Sequence, residues 1–147
     1  MKKVLAIGFL IVLLILGGIL LFPSKGPGAR IQLGNYDLEG ITKIELTNCH
    51  NGCRTDIAEE TDIAAILDFV TPVIGENSGS GKGYYEGSYA LALYRGEKQV
   101  LSLAFGDSDC FYMGKGRDGY PIRYLLVNKT VGEDIIPFFA QFDQSVS

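Results

Sequence analysis

Tyr89-Ala90-Leu91-Ala92-Leu93-Tyr94-Arg95-Gly96-Glu97-Lys98-Gln99-Val100-Leu101-Ser102-Leu103-Ala104-Phe105 is the stretch on which the fold turns. Tyr89, Leu91 and Leu93 alternate with Ala90, Ala92 and Tyr94, the period of two that sets one strand face in a core and the other outside it. Arg95 to Lys98 turns the chain, and Leu101, Leu103 and Phe105 return with the same period. Downstream, Cys110 to Met113 reads as a short third strand, Gly114 to Gly119 as a turn rich in Gly and charge, and Pro121 to Val127 as a fourth. A four-stranded antiparallel meander results. Thr130-Val131-Gly132-Glu133 has the spacing in which a hydroxyl and a Glu satisfy each other's backbone donors, which opens a final helix. Ile135, Phe138 and Phe142 share its apolar face, and Pro137, lacking a backbone donor, predicts a kink or break.

Upstream, Thr61 stands at a cap position, with Asp62 in the first turn and Ile63, Ile66, Leu67 and Val70 spaced along one helical face. Pro72 ends the pattern, and Gly75 to Gly83 reads as a flexible loop by composition. Residues 41 to 48 alternate as a strand, Asn51-Gly52 marks a hairpin turn, and 53 to 58 return. The order hairpin, helix, meander, helix predicts an α+β domain over 31–147, with both helices on one face of an antiparallel sheet. At 147 residues the chain is too short for more than one sizeable domain.

The amino terminus is of another kind. Val4 to Phe22 is nineteen residues without a charge, about 28 Å of helix and close to the hydrocarbon thickness of a bilayer. It has no polar face of the sort a domain helix presents to water. Phe22-Pro23-Ser24-Lys25 follows directly, with no good cleavage site; Gly26 and Gly28 have suitable spacing but lie well beyond the run. No Cys follows the run to carry a lipid, since the first is Cys49. Residues 1–22 are therefore expected to be a membrane anchor or uncleaved signal, with 4–22 in lipid. Residues 23–30, with two Pro and two Gly in 23–29, read as a tether. Lys2 and Lys3 before the run, against Lys25 and Arg30 after it, favour an amino terminus inside and a domain outside the cytoplasm, single-pass in the cell membrane.

Over residues 31–147, nine Lys and Arg against 17 Asp and Glu leave a net charge of −8. That argues against a nucleic-acid partner, which needs clustered cations. Apolar residues recur throughout this acidic part, which argues against disorder. The plan of anchor, tether and small acidic α+β domain is similar to that of many bacterial envelope proteins, a likeness of layout without a shared motif. It implies an envelope protein or cell-wall partner.

Cys49-His50-Asn51-Gly52-Cys53 gathers two of the three cysteines and the only His. A three-residue loop of His50, Asn51 and Gly52 would set Cys49 opposite Cys53 and allow a disulfide. A two-residue turn at Asn51-Gly52 would pair Leu46 with Ile57 and leave Cys110 to bond either cysteine. Alternatively the cysteines are unpaired structural thiols, or Cys49, His50 and Cys53 are ligands for a soft metal, with Cys110 or a carboxylate as fourth, or a thiol-redox centre. A c-type haem needs His directly after the second Cys, where Arg54 stands.

Gly79-Ser80-Gly81-Lys82-Gly83 fails as a phosphate-binding loop, because Glu76 occupies the place of the first Gly and Gly83 that of Ser or Thr. Tyr84, Tyr85 and Tyr89 are candidates for a surface that presents rings to a glycan or peptide. Asp107, Asp109 and Asp118 sit in turns without the ligand series of a calcium loop. With His50 the only imidazole, no nucleophile has an evident base, and no motif implies a cofactor. A non-enzymatic binding or sensing module is the expected role, with a metal or thiol-redox protein using Cys49, His50 and Cys53 as the alternative.

Overall fold

The computed structural model describes residues 26–82, 87–106 and 109–145, without the side chains of residues 129–131. The expected anchor over 4–22, and Tyr84, Tyr85 and Asp107, lie outside the described residues. Among the described residues no helix is long and apolar enough to cross a membrane.

In chain order the elements are β1 (Arg30–Gln32), a short 3-10 turn, β2 (Lys43–Asn48), β3 (Arg54–Ile57), α1 (Glu60–Val70), β4 (Ile74–Ser80), β5 (Tyr89–Arg95), β6 (Lys98–Phe105), β7 (Cys110–Met113), β8 (Ile122–Leu126) and α2 (Lys129–Ala140). All eight strands form one antiparallel sheet in the order β1-β4-β8-β7-β6-β5-β2-β3. The fold is α+β.

Register explains the core. Tyr89 pairs with Phe105, Phe105 with Phe111 and Phe111 with Tyr124, so one row of rings crosses four strands on the same face. A second row runs through Leu46, Leu91, Leu103, Met113 and Ile122. Both helices pack on this face. Ile63, Ile66 and Val70 of α1 and Ile135 and Phe139 of α2 are buried there, and the Phe139 ring lies 5.4 Å from Phe105 and 5.9 Å from Tyr89 between centroids. The helices meet through Phe69 and Phe138, stacked at 4.0 Å.

The sheet departs from expectation in having eight strands rather than six. The segment read as a loop, Gly75 to Gly83, supplies most of β4. Its Gly and Ser content disfavours a strand in isolation, but β4 is paired on both sides, with β1 and β8. Gly75 is required there by contact, since a Cβ at that position would stand 2.5 Å from the Phe111 ring and 2.8 Å from the Tyr124 Cβ. The other added strand, β1, overlaps the expected tether. Gly28 donates to the Asn77 carbonyl and Asn77 to the Ala29 carbonyl, both at 2.8 Å, so the sheet begins ahead of Ile31.

Helix ends also differ. α1 starts at Glu60 with Glu59 at the cap, and Thr61 falls within the first turn. α2 starts at Lys129, ahead of Thr130, with Asn128 at the cap position; the Asn128 side chain makes no cap bond and instead accepts from Ile74 N at 2.9 Å and donates to the Pro72 carbonyl at 3.0 Å. The helix continues through Pro137 to Ala140 without a break.

Candidate functional site

The Cys49–Cys53 turn adopts neither expected register. Asn48 N donates to the Cys53 carbonyl at 2.9 Å and Gly52 N to the Asn48 carbonyl at 2.8 Å, which makes a four-residue loop of Cys49 to Gly52. Ile44 accordingly pairs with Ile57, and Leu46 with Thr55 rather than Ile57. Two side chains stabilise the longer loop: Asn48 Oδ1 accepts from His50 N and Asn51 Oδ1 from Cys53 N, both at 2.9 Å. Cys49 and Cys53 therefore do not face each other. All three cysteines are free thiols, with Cys49 half-buried, Cys53 exposed and Cys110 buried. Burial pushes the Cys49 thiol up, away from thiolate reactivity. Among the described residues no group of three His, Cys, Asp or Glu is placed to hold a metal ion. Tyr89, expected on a binding surface, is buried in the core.

Its hydroxyl belongs to a network that sequence reasoning missed. Asp143, buried just beyond α2, accepts from Asn48 Nδ2 at 2.8 Å and Tyr89 OH at 3.0 Å on Oδ2. On Oδ1 it accepts from Ser145 N at 2.9 Å and Ser145 Oγ at 2.6 Å. Gln144 N reaches Thr55 Oγ at 3.2 Å and Asn51 Nδ2 reaches Ser145 Oγ at 3.0 Å, so the carboxyl-terminal segment is clamped across the β2–β3 turn. Burial works against the Asp143 charge, but hydrogen bonds from Ser145, Asn48 and Tyr89 outweigh it and hold the carboxyl below its ordinary range. Burial, followed by the bond to Asp143, pushes Tyr89 up to about 12. Four donors occupy the carboxylate, so the pair is suited to holding structure and not to moving protons near neutral pH.

A more open site lies at the other side of the sheet, where the end of β4 meets the β7–β8 turn. Gly26, Pro27, Asn77, Gly79, Ser80, Ile122 and residues 115–118 line a cleft of about 820 Å³. The turn is built to stand there: Gly114 and Gly119 take φ of 71° and 84°, a left-handed backbone open to Gly. Gly116 N donates to the Tyr120 carbonyl at 2.8 Å. Asp118 fastens the turn to β4 by accepting the Ser80 hydroxyl, and closes the turn on itself by accepting Tyr120 N at 3.0 Å. Those bonds, the Ser80 hydroxyl first, hold its carboxyl below the ordinary value. Lys82 stands 5.4 Å from the Tyr120 ring centroid, and Lys115 and Arg117 are exposed on the turn.

No family model, curated protein or solved structure matches the chain. The site is therefore weighed on its geometry.

The sheet face away from the helices has a second hollow of about 440 Å³. Ala90, Ser102 and Ala104 form its floor, and Tyr112, Tyr120 and Pro121 stand beside it. Small side chains on adjacent strands leave the backbone low there, and of the two tyrosines Tyr112 is buried and Tyr120 exposed.

Proposed function

We propose that the chain is a membrane-anchored, extracytoplasmic binding or sensing module without catalytic activity, with an envelope protein or cell-wall component as partner. The observation that carries the reading is the contrast between the two sheet faces. One face holds the core and both helices. On the other, Ala90, Ser102 and Ala104 floor a shallow hollow lined also by buried Tyr112 and exposed Tyr120, and an exposed ring beside an apolar floor favours recognition by stacking and apolar contact. The apolar run over 4–22 supplies the anchor, and the hydrogen bonds of Gly28 and Ala29 into β4 leave only a short spacer between bilayer and sheet.

Cys53, exposed and free, provides the test. A membrane-impermeant maleimide added to intact cells is expected to label the full chain rapidly, and Cys53→Ser to leave only the slow reaction of half-buried Cys49. A photo-crosslinker at exposed Ser102 is expected to yield an envelope adduct that the same group at Asp68, on the outer side of α1, does not. Labelling that requires permeabilised cells would overturn the topology, and equal adducts from both positions would overturn the assigned face.

A further inference from the structure

The apolar run ends at Phe22, and Gly26 already lines the cleft beside the β7–β8 turn. Four residues extend at most about 14 Å, and the headgroup layer is itself about 5–7 Å deep on each side of the hydrocarbon. With the run in lipid, the cleft lies within reach of that layer.

Its charge is opposite to that of the domain. Arg30, Lys43, Arg54, Arg95 and Arg123 each have a carboxylate oxygen between 3.1 and 3.9 Å away. Among the described residues no ion pair involves Lys82, Lys115 or Arg117. Lys98, the first residue of β6, is the other cation with a described side chain for which no ion pair is seen. In a domain with a net charge of −8, three exposed cations thus collect where the chain enters, and the described carboxylate among them is Asp118, close enough to Lys82 for the two charges to attract. Asp118 is also engaged by Ser80 and Tyr120. The opposite edge of the sheet, at β3, carries Cys53 four strand spacings from β7, about 19 Å.

We propose that Lys82, Lys115 and Arg117 form a docking surface for the anionic phospholipid headgroups of the bilayer that holds the amino-terminal segment, and so orient the domain with the β1 edge on the membrane and the β2–β3 turn away from it. The proposal rests on the anchor reading. Long cationic side chains that extend from a fixed turn can place their charges among headgroup phosphates. Orientation rather than attachment is the consequence, because the apolar run supplies the attachment.

The test uses the full chain reconstituted into vesicles of phosphatidylcholine alone or with phosphatidylglycerol, treated from outside with an impermeant acylating reagent and read by peptide mass. Outward-facing molecules are counted by maleimide labelling of Cys53. Acylation of Lys82 and Lys115 is expected to slow about fivefold in the anionic vesicles, the factor for one cation near such a surface, and to recover in high salt. In the double variant Lys115→Glu, Arg117→Glu, Lys82 is expected to react alike in both vesicles. Equal rates for the unaltered chain, with the chain floating with the vesicles, would overturn the docking surface and leave the anchor standing. A chain that does not float with either vesicle would overturn the anchor, and the docking surface with it.

Discussion

Replacing Tyr89 by Phe removes one hydroxyl from a closed site and keeps the ring against Phe139. The hydroxyl donates at 3.0 Å to Asp143, which retains Asn48 and both contacts from Ser145. The buried carboxylate is thus not orphaned, and the expected loss near pH 7 is about 1–2 kcal/mol, the lower part of the range for a bond to a charged group. The pH dependence is more diagnostic. The folded state holds the Tyr89 proton up to about 12, through burial and then the Asp143 bond and charge, whereas in the unfolded chain a tyrosine titrates near 10. Below pH 10 the contribution is complete. As pH rises from 10 to 12 the unfolded chain releases its proton first, and stability falls. Two units correspond to about 3 kcal/mol as an upper bound. Burial also raises Tyr36 and Tyr124, so both proteins lose stability in alkali. Their difference isolates Tyr89. Urea unfolding of the full chain in detergent micelles, followed by circular dichroism at pH 7, 9 and 11, is expected to show a gap between wild type and Tyr89→Phe that is constant from 7 to 9 and closes by 11. A gap that stays constant to pH 11, or is absent at pH 7, would refute the proton-holding network.

Asp143→Asn turns an acceptor into a donor facing Asn48 and Tyr89, so it should cost about 2–4 kcal/mol at pH 7. It should also remove the part of acid sensitivity that arises as the wild-type carboxyl, held low when folded, takes its proton below pH 4; thermal unfolding between pH 3 and 7 measures both. Gly75→Ala forces a methyl against Phe111 and the Tyr124 Cβ and is expected to destabilise by about 2–3 kcal/mol, read as a lowered urea midpoint, and to be partly rescued by Phe111→Leu. Thiol titration of the native chain without reductant should give Cys53 first, Cys49 slowly and Cys110 only on unfolding; an intact mass two units low would contradict the free thiols. Asp118→Ala should release the β7–β8 turn from β4, seen as faster hydrogen exchange at Tyr120 N with the core amides unchanged.

What was legible in the sequence follows from which forces act locally. The alternation over 89–105 and the spacing of Ile63, Ile66 and Val70 record burial on one face, and such patterns survive in any context that buries that face. β4 left no such record. Gly75 and Asn77 are held in a strand by the β1 segment on one side and β8 on the other, and Gly75 is small because Phe111, 36 positions later, occupies the space its side chain would fill. Composition alone therefore reads a loop. The β2–β3 turn was misread for a similar reason. Asn51-Gly52 is a sound local signal for a tight turn, but Asn48, bonded to Asp143 from beyond α2, is part of the loop closure, and the loop lengthens to four residues.

The site was less legible than the fold because charge acts through pairing, and pairing is set by the sheet. Along the chain Lys115 and Arg117 look like solvated residues of a polar turn, no different from Arg95 or Arg54. The strand order separates them. Arg54 comes to lie beside Glu45 and Asp56 across the β2–β3 register, and Arg95 reaches Asp37 from the β5–β6 turn. The β7–β8 turn meets the end of β4, where among the described residues the Asp118 carboxylate is bonded by Ser80 and Tyr120 and also faces Lys82. A chain with an excess of acids can thus carry a corner in which cations outnumber acids, and its net charge conceals it. The corner coincides with the point of chain entry through connectivity: β1 pairs with β4, and β4 ends against the turn. Moving the entry strand to the β3 edge would leave the same charges and separate them from the point of chain entry, so it is the strand order that makes the two adjacent.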